Sequence, residues 1–144
     1  MKVQLIEDPN EIIERIDQLL EVENSELKYK WSKQAWLDFV SKNQFVCSVH
    51  ENGFALCAIS SADKLIHLLK IAVRVQYQGS GLAGQLFDCI NAKYLDFRWY
   101  LEVESSNTKA IKFYENKGFQ RLYEKRSYYS DGADALIMER STCK

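Results

Sequence analysis

Gly79-Ser80-Gly81-Leu82-Ala83-Gly84 places three glycines within six residues, after an apolar run, Leu65–Val73, and a short polar loop. Leu82, Leu86, Cys89 and Ile90 then recur at helical spacing. Glycine lets a backbone turn tightly and approach a ligand, and a helix start offers unpaired N–H groups at the positive end of its dipole. That combination is a phosphate cradle, although a plain glycine-rich turn between strand and helix carries the same letters. Further on, Glu102 lies on the polar side of an alternating stretch and is a candidate general base. A solvated face charge shared with Glu104 is the plainer reading of it. His67 is a second candidate base, but a histidine among Leu65, Leu69 and Ile71 reads first as a core residue. The cysteines, Cys47, Cys57, Cys89 and Cys143, contain no Cys-x-x-Cys pair, so no metal site is expected. None has a histidine set beside it by the sequence, and buried free thiols are expected.

The elements that must carry these residues follow from periodicity and turn chemistry. Residues 3–6 suit a short strand. Asp8-Pro9-Asn10-Glu11 is a helix start, with Asp8 as N-cap and Pro9 in the first helical position. Ile12, Ile13, Ile16, Leu19 and Leu20 form that helix's apolar stripe. Ser32 caps a second helix carrying Trp36, Phe39 and Val40. Phe45–Val49 and Phe54–Ile59 read as a hairpin about Asn52-Gly53. In that register Cys47 opposes Ala58 and Cys57 opposes Ser48, so the two thiols face opposite ways. Leu65–Val73 is a strand and 81–93 a helix. Trp99–Glu104 alternates, with Trp99, Leu101 and Val103 on one face and Tyr100, Glu102 and Glu104 on the other. Ser106 or Asn107 opens a helix that Gly118 ends. Gln120–Lys125 and Ala135–Glu139 close the chain as strands.

The whole is an α/β (α+β) string with an antiparallel N-terminal half, a mixed, mostly antiparallel sheet and about four helices. At 144 residues, 1–144 is expected to be one domain. A net charge of −1 argues against a nucleic-acid binder. Met1-Lys2-Val3-Gln4 leads into a charged segment rather than a signal peptide. No apolar run nears the roughly 20 residues of a membrane span. A cytoplasmic location is expected, with neither membrane nor nucleic acid as partner. The oligomeric state is open.

Read as G-x-G-x-x-G, the loop would suit a dinucleotide, with Glu102 and Glu104 placed as the acidic residue. In that fold the glycines follow the strand at once, inside a parallel array. Here Arg74–Gln78 intervene and an antiparallel hairpin precedes. Gln78-Gly79-Ser80-Gly81-Leu82-Ala83 instead resembles the Gln/Arg-x-x-Gly-x-Gly/Ala signature of the GNAT superfamily, which transfers acetyl groups from acetyl-CoA to amines. Leu101–Asn107, Ala110–Glu115, Gly118-Phe119, Arg126–Tyr129 and Asp134–Met138 further resemble the branch of RimI-type N-terminal acetyltransferases. Members of that branch acetylate the N-terminal α-amine (alanine) of a small-subunit ribosomal protein. The resemblance is dense over about 65–140. Arg74-Val75, Ser130 and Ala133 depart from the family's usual residues, the last two on the acceptor side.

The resemblance implies acetyl-CoA as co-substrate and a protein or peptide N-terminus as partner. Backbone N–H groups of Gly79, Ser80, Gly81, Leu82, Ala83 and Gly84, after Gln78, would hold the CoA pyrophosphate. Ile71, Ala72 and Val73 would pair with the pantetheine arm, and a backbone N–H near Val73 would hold the oxyanion. Asn107 would touch the CoA arm. Tyr114 would protonate the departing thiolate, although a helix tyrosine without that resemblance reads equally as core. Glu102 would take the amine proton, directly or through a water. An α-amine is about one-tenth neutral at pH 7, so a modest base suffices. Trp31, Tyr128 and Tyr129 are candidates to line the acceptor groove, though the two loop tyrosines read equally as packing of a hairpin corner. Glu23, Glu26, Glu51 and Asp134 could attract a basic peptide, but the sequence does not place them. Other readings are acetylation of a small-molecule amine or a lysine side chain, and a non-catalytic acetyl-CoA binder.

Overall fold

In the computed structural model, which describes residues 2–142, the apolar periodicities resolve into seven strands and four helices. In chain order these are β1 (Gln4–Ile6), α1 (Pro9–Glu26), α2 (Lys33–Lys42), β2 (Phe45–His50), β3 (Gly53–Ser60), β4 (Leu65–Val73), α3 (Leu82–Lys93), β5 (Arg98–Glu104), α4 (Thr108–Asn116), β6 (Gln120–Lys125) and β7 (Ala135–Arg140). A single 3₁₀ turn, Val75–Tyr77, precedes the glycine loop. The strands lie in one mixed sheet in the order β1-β2-β3-β4-β5-β7-β6. The β4–β5 pair is parallel, and β1–β2, β2–β3, β5–β7 and β6–β7 are antiparallel. The chain divides into two compact units, Met1–Ile59 with Leu69–Leu95 and Ser60–Leu68 with Asp96–Lys144.

In the first unit Asp8 caps α1 by accepting the Asn10 N–H at 2.9 Å, and Ser32 caps α2 by accepting that of Ala35 at 3.1 Å. The buried stripe of α1 is Ile12, Ile16, Leu19, Val22 and Glu23. Ile13, expected on that stripe, is half exposed, because helical spacing from Ile12 and Ile16 carries it round to the next face. Glu23 takes the inner position instead and is wholly buried. Its carboxylate meets Lys70 Nζ at 2.5 Å, Trp36 Nε1 at 2.7 Å and the Trp31 N–H at 2.9 Å. Burial pulls the Lys70 pKa below its ordinary value, against the opposing pull of Glu23.

The hairpin forms with a different register from the expected one. His50 pairs with Gly53, so the turn residues are Glu51 and Asn52, and Cys47 opposes Leu56 while Cys57 opposes Val46. The reason lies at Gly53, which belongs to the strand: a Cβ there would meet Ala72 O at 2.8 Å. The two thiols still face opposite ways, as the changed register keeps their parity. Both are free and buried, Cys89 is free and partly buried, and Cys143 lies outside the described residues.

In the second unit β4 and β5 pair from Leu65↔Arg98 to Leu68↔Leu101. Trp99, Leu101 and Val103 are buried while Tyr100, Glu102 and Glu104 are half-buried, as the alternation requires. Asn107 caps α4 through Oδ1, accepting the Ala110 N–H at 3.2 Å, and Gly118 ends that helix at a φ of 94°. The loop between β6 and β7 is held by its own bonds. Ser127 N–H donates to Asp134 Oδ1 at 2.8 Å, and Tyr129 N–H to Ala133 O at 3.1 Å.

Candidate active site

In the first unit, β4 ends at Val73 and the chain enters an arm, Arg74–Gln78, that carries the glycine loop. The Arg74 N–H donates to Asn52 O at 2.9 Å, and the 3₁₀ turn closes with Gln78 N–H on Val75 O at 3.2 Å. Gln78 is exposed at the start of the glycine loop. Its Nε2 turns back to donate to Val73 O at 3.0 Å, so it shapes the loop. Gly79 and Gly81 have φ of 83° and 90°, the left-handed region that side chains other than glycine's disfavour. A Cβ built at either would meet nothing within 4 Å, so the loop's face is open. Helical bonding starts with the Gln85 N–H on Gly81 O at 3.0 Å. The N–H groups of 82–84 precede that first helical bond and sit at the positive end of α3, while the Ser80 N–H donates to Tyr77 O at 3.3 Å. Leu82 sends its side chain into the core, leaving its backbone as the part that can meet a ligand. Open glycines, exposed backbone donors and a helix start fit a pyrophosphate.

The second unit brings together side chains that are far apart in sequence. His67 Nε2 lies 2.7 Å from Glu102 Oε1. The parallel register sets His67 opposite Tyr100, two residues short of Glu102, and the imidazole stacks on the Tyr100 ring at 4.2 Å and 14°. His67 is thus not the core residue its neighbours suggested. Ile66 and Leu68 on either side of it are the buried positions, while Leu65, His67 and Leu69 stay half-exposed. The side chains of His67 and Glu102 keep 23% and 17% of their exposure, enough for an acceptor or a water to reach them. Burial, and then the Glu102 charge, raise the pKa of the Tyr100 and Tyr128 phenols, so both stay protonated near neutral pH. Tyr128 packs edge-on against Tyr129 at 4.9 Å. Tyr114 is buried on α4 between the rings of Phe113 and Phe119.

Other expected residues are placed differently. Trp31 spends its ring on Trp36, Phe39 and the Lys70 ammonium, the last at 4.4 Å from the ring centre. Glu23 is sealed in its ion pair with Lys70, and Asp134 accepts the Ser127 N–H. Burial raises the pKa of all three described thiols, which removes them as ready nucleophiles. Among the described residues no group of three His, Cys, Asp or Glu is set to hold a metal ion.

In a mostly antiparallel sheet the glycine loop follows β4 only after the arm Arg74–Gln78, unlike the parallel array of a dinucleotide fold. The sequence matches the acetyltransferase (GNAT) domain family over residues 16–142, and the chain belongs to that family. Among its relatives is a Bacillus subtilis protein named putative [ribosomal protein bS18]-alanine N-acetyltransferase. It is 30% identical over 134 residues, covering 88% of this chain and 89% of that one. An N-alpha-acetyltransferase of Saccharolobus solfataricus is 36% identical over 78 residues, 51% of this chain and 47% of its own length. The matched part spans about half the length of relatives of this second kind. The crystal structure of the ribosomal-protein-S18-alanine N-acetyltransferase from Escherichia coli has the same fold, with a TM-score of 0.80 at 23% identity, covering 99% and 96% of the two chains.

Proposed function

We propose that this protein transfers an acetyl group from acetyl-CoA to the N-terminal α-amine of a protein, by direct attack in a ternary complex. The acceptor we favour is a small-subunit ribosomal protein, following the names of the Bacillus and Escherichia relatives. The observation that carries the reading is the 2.7 Å contact between His67 and Glu102. A carboxylate hydrogen-bonded to an imidazole can draw a proton from an arriving ammonium and pass it on. We read the chain as one domain, since the family match runs through both units, and as cytoplasmic.

Acetyl-CoA supplies the acetyl group as a thioester. Backbone N–H groups within 79–84 would hold its pyrophosphate, Ile71–Val73 would lie along its pantetheine arm, and Asn107 would contact that arm. Glu102, with His67 behind it, takes the proton that must leave the α-amine before nitrogen can attack the carbonyl carbon. A backbone N–H near Val73 stabilises the charge that grows on the carbonyl oxygen. As the carbon–sulfur bond breaks, Tyr114 gives the thiolate its proton and is reprotonated by the second proton that the nitrogen sheds, directly or through water. Tyr128 and Tyr129 contact the acceptor, and the bonds within their loop steady them.

The test is free-thiol release from acetyl-CoA over a panel of acceptors. It holds Ala- or Ser-starting peptides from small-subunit ribosomal proteins, the same peptides acetylated at the α-amine, and polyamines. Turnover only with the free α-amine supports the reading. Preference for polyamines, or for the internal lysine of blocked peptides, would overturn the acceptor. Tight acetyl-CoA binding without turnover on any of them would make the protein a binder.

A further inference from the structure

The glycine loop is held out on the arm Arg74–Gln78, and the side chains that steady that arm come from one place, the last turns of α1. Glu26 Oε2 accepts the Val75 N–H at 3.2 Å, and its Oε1 lies 3.5 Å from Gln78 Nε2. The Gln78 amide is the group that folds back onto Val73 O. Just over one turn earlier, Glu21 Oε1 meets the Arg74 guanidinium at 2.5 Å. A carboxylate beside a site for a polyanion is electrostatically unfavourable in itself. Its use here is geometric: it fixes the Val75 N–H and the Gln78 side chain, and so the point from which the left-handed Gly79 and Gly81 start.

Resting on the acetyl-CoA reading above, we infer that Glu26 is a positioning residue for the pyrophosphate loop. It acts through Val75 and Gln78 and does not touch the ligand. The family signature includes Gln78 and the glycines, but α1 lies some fifty residues earlier in the sequence, so the partnership is visible only once the chain is folded.

The experiment is calorimetric titration of the full chain with CoA, which needs no acceptor, alongside acetyl-CoA kinetics. Glu26→Ala is expected to weaken CoA binding about five- to tenfold, the loss of one or two modest hydrogen bonds. KM for acetyl-CoA should rise in step, with kcat and the acceptor KM unchanged. Glu26→Gln keeps an oxygen for the Val75 N–H and should stay within about twofold of wild type. Glu14→Ala removes an equal charge from an exposed position of α1, three turns away from the arm, and should leave CoA binding unaltered. Equal or tighter binding by Glu26→Ala would overturn the inference, as would matching losses in Glu26→Ala and Glu26→Gln. Wild-type protein that fails to bind CoA would instead overturn the cofactor reading beneath it.

Discussion

Glu102 carries a plain consequence. Removing its charge with Glu102→Gln should lower kcat/KM by about 10²- to 10⁴-fold, the usual range for a lost general base. The deficit should shrink as pH rises past about 8, where the α-amine is already neutral. His67→Asn should produce a smaller loss with the same pH trend, since it takes away the partner at 2.7 Å and leaves the carboxylate. Tyr114→Phe should keep the packing against Phe113 and Phe119 while removing the proton donor. Its expected signature is a drop in kcat with the acetyl-CoA KM nearly constant, read from initial rates. Glu102 was legible because strand alternation put it on the polar face. His67 was legible as a residue but not as its partner, because nothing local tells which strand lies beside β4.

At the scale of elements, the N-caps and apolar stripes followed the sequence closely, and the exceptions have physical causes. The hairpin register failed at Gly53 because the constraint on that residue comes from Ala72 O on β4, not from the turn. Gly53→Ala should destabilise the protein by about 1–3 kcal/mol, measured by urea unfolding, since backbone must move to admit the methyl group. The sequence leaves Glu23 unplaced, because nothing local to it announces a partner. Lys70→Met should cost about 3–5 kcal/mol in the same assay, as it strands a buried carboxylate. Combining it with Glu23→Gln should recover part of that loss, because the two residues are directly coupled.

For the molecule as a whole, a ligand that binds only the folded chain must stabilise it. At a hundred times its Kd, CoA should add about 2.7 kcal/mol to the unfolding free energy, seen as a rise in Tm. NAD(P) at the same concentration should leave the Tm where it was. A shift with NAD(P) and none with CoA would count against the family's chemistry on this chain. No helix among the described residues is long and apolar enough to cross a membrane.

The sequence alone determined what depends on neighbours along the chain. Helix caps at Asp8 and Ser32, the strand–loop–helix order around Gly79 and Gly81, and the alternation that turns Glu102 outward all follow from backbone geometry. The resemblance carried by Gln78–Ala83 named the family that the full match supports. Only the tertiary structure decided the pairings across sequence distance. These are His67 with Glu102, Glu23 with Lys70, Glu26 with the arm before the glycines, and Gly53 against Ala72. Each arises from strand register or helix packing, and those are settled by how the whole apolar surface is buried rather than by any local preference.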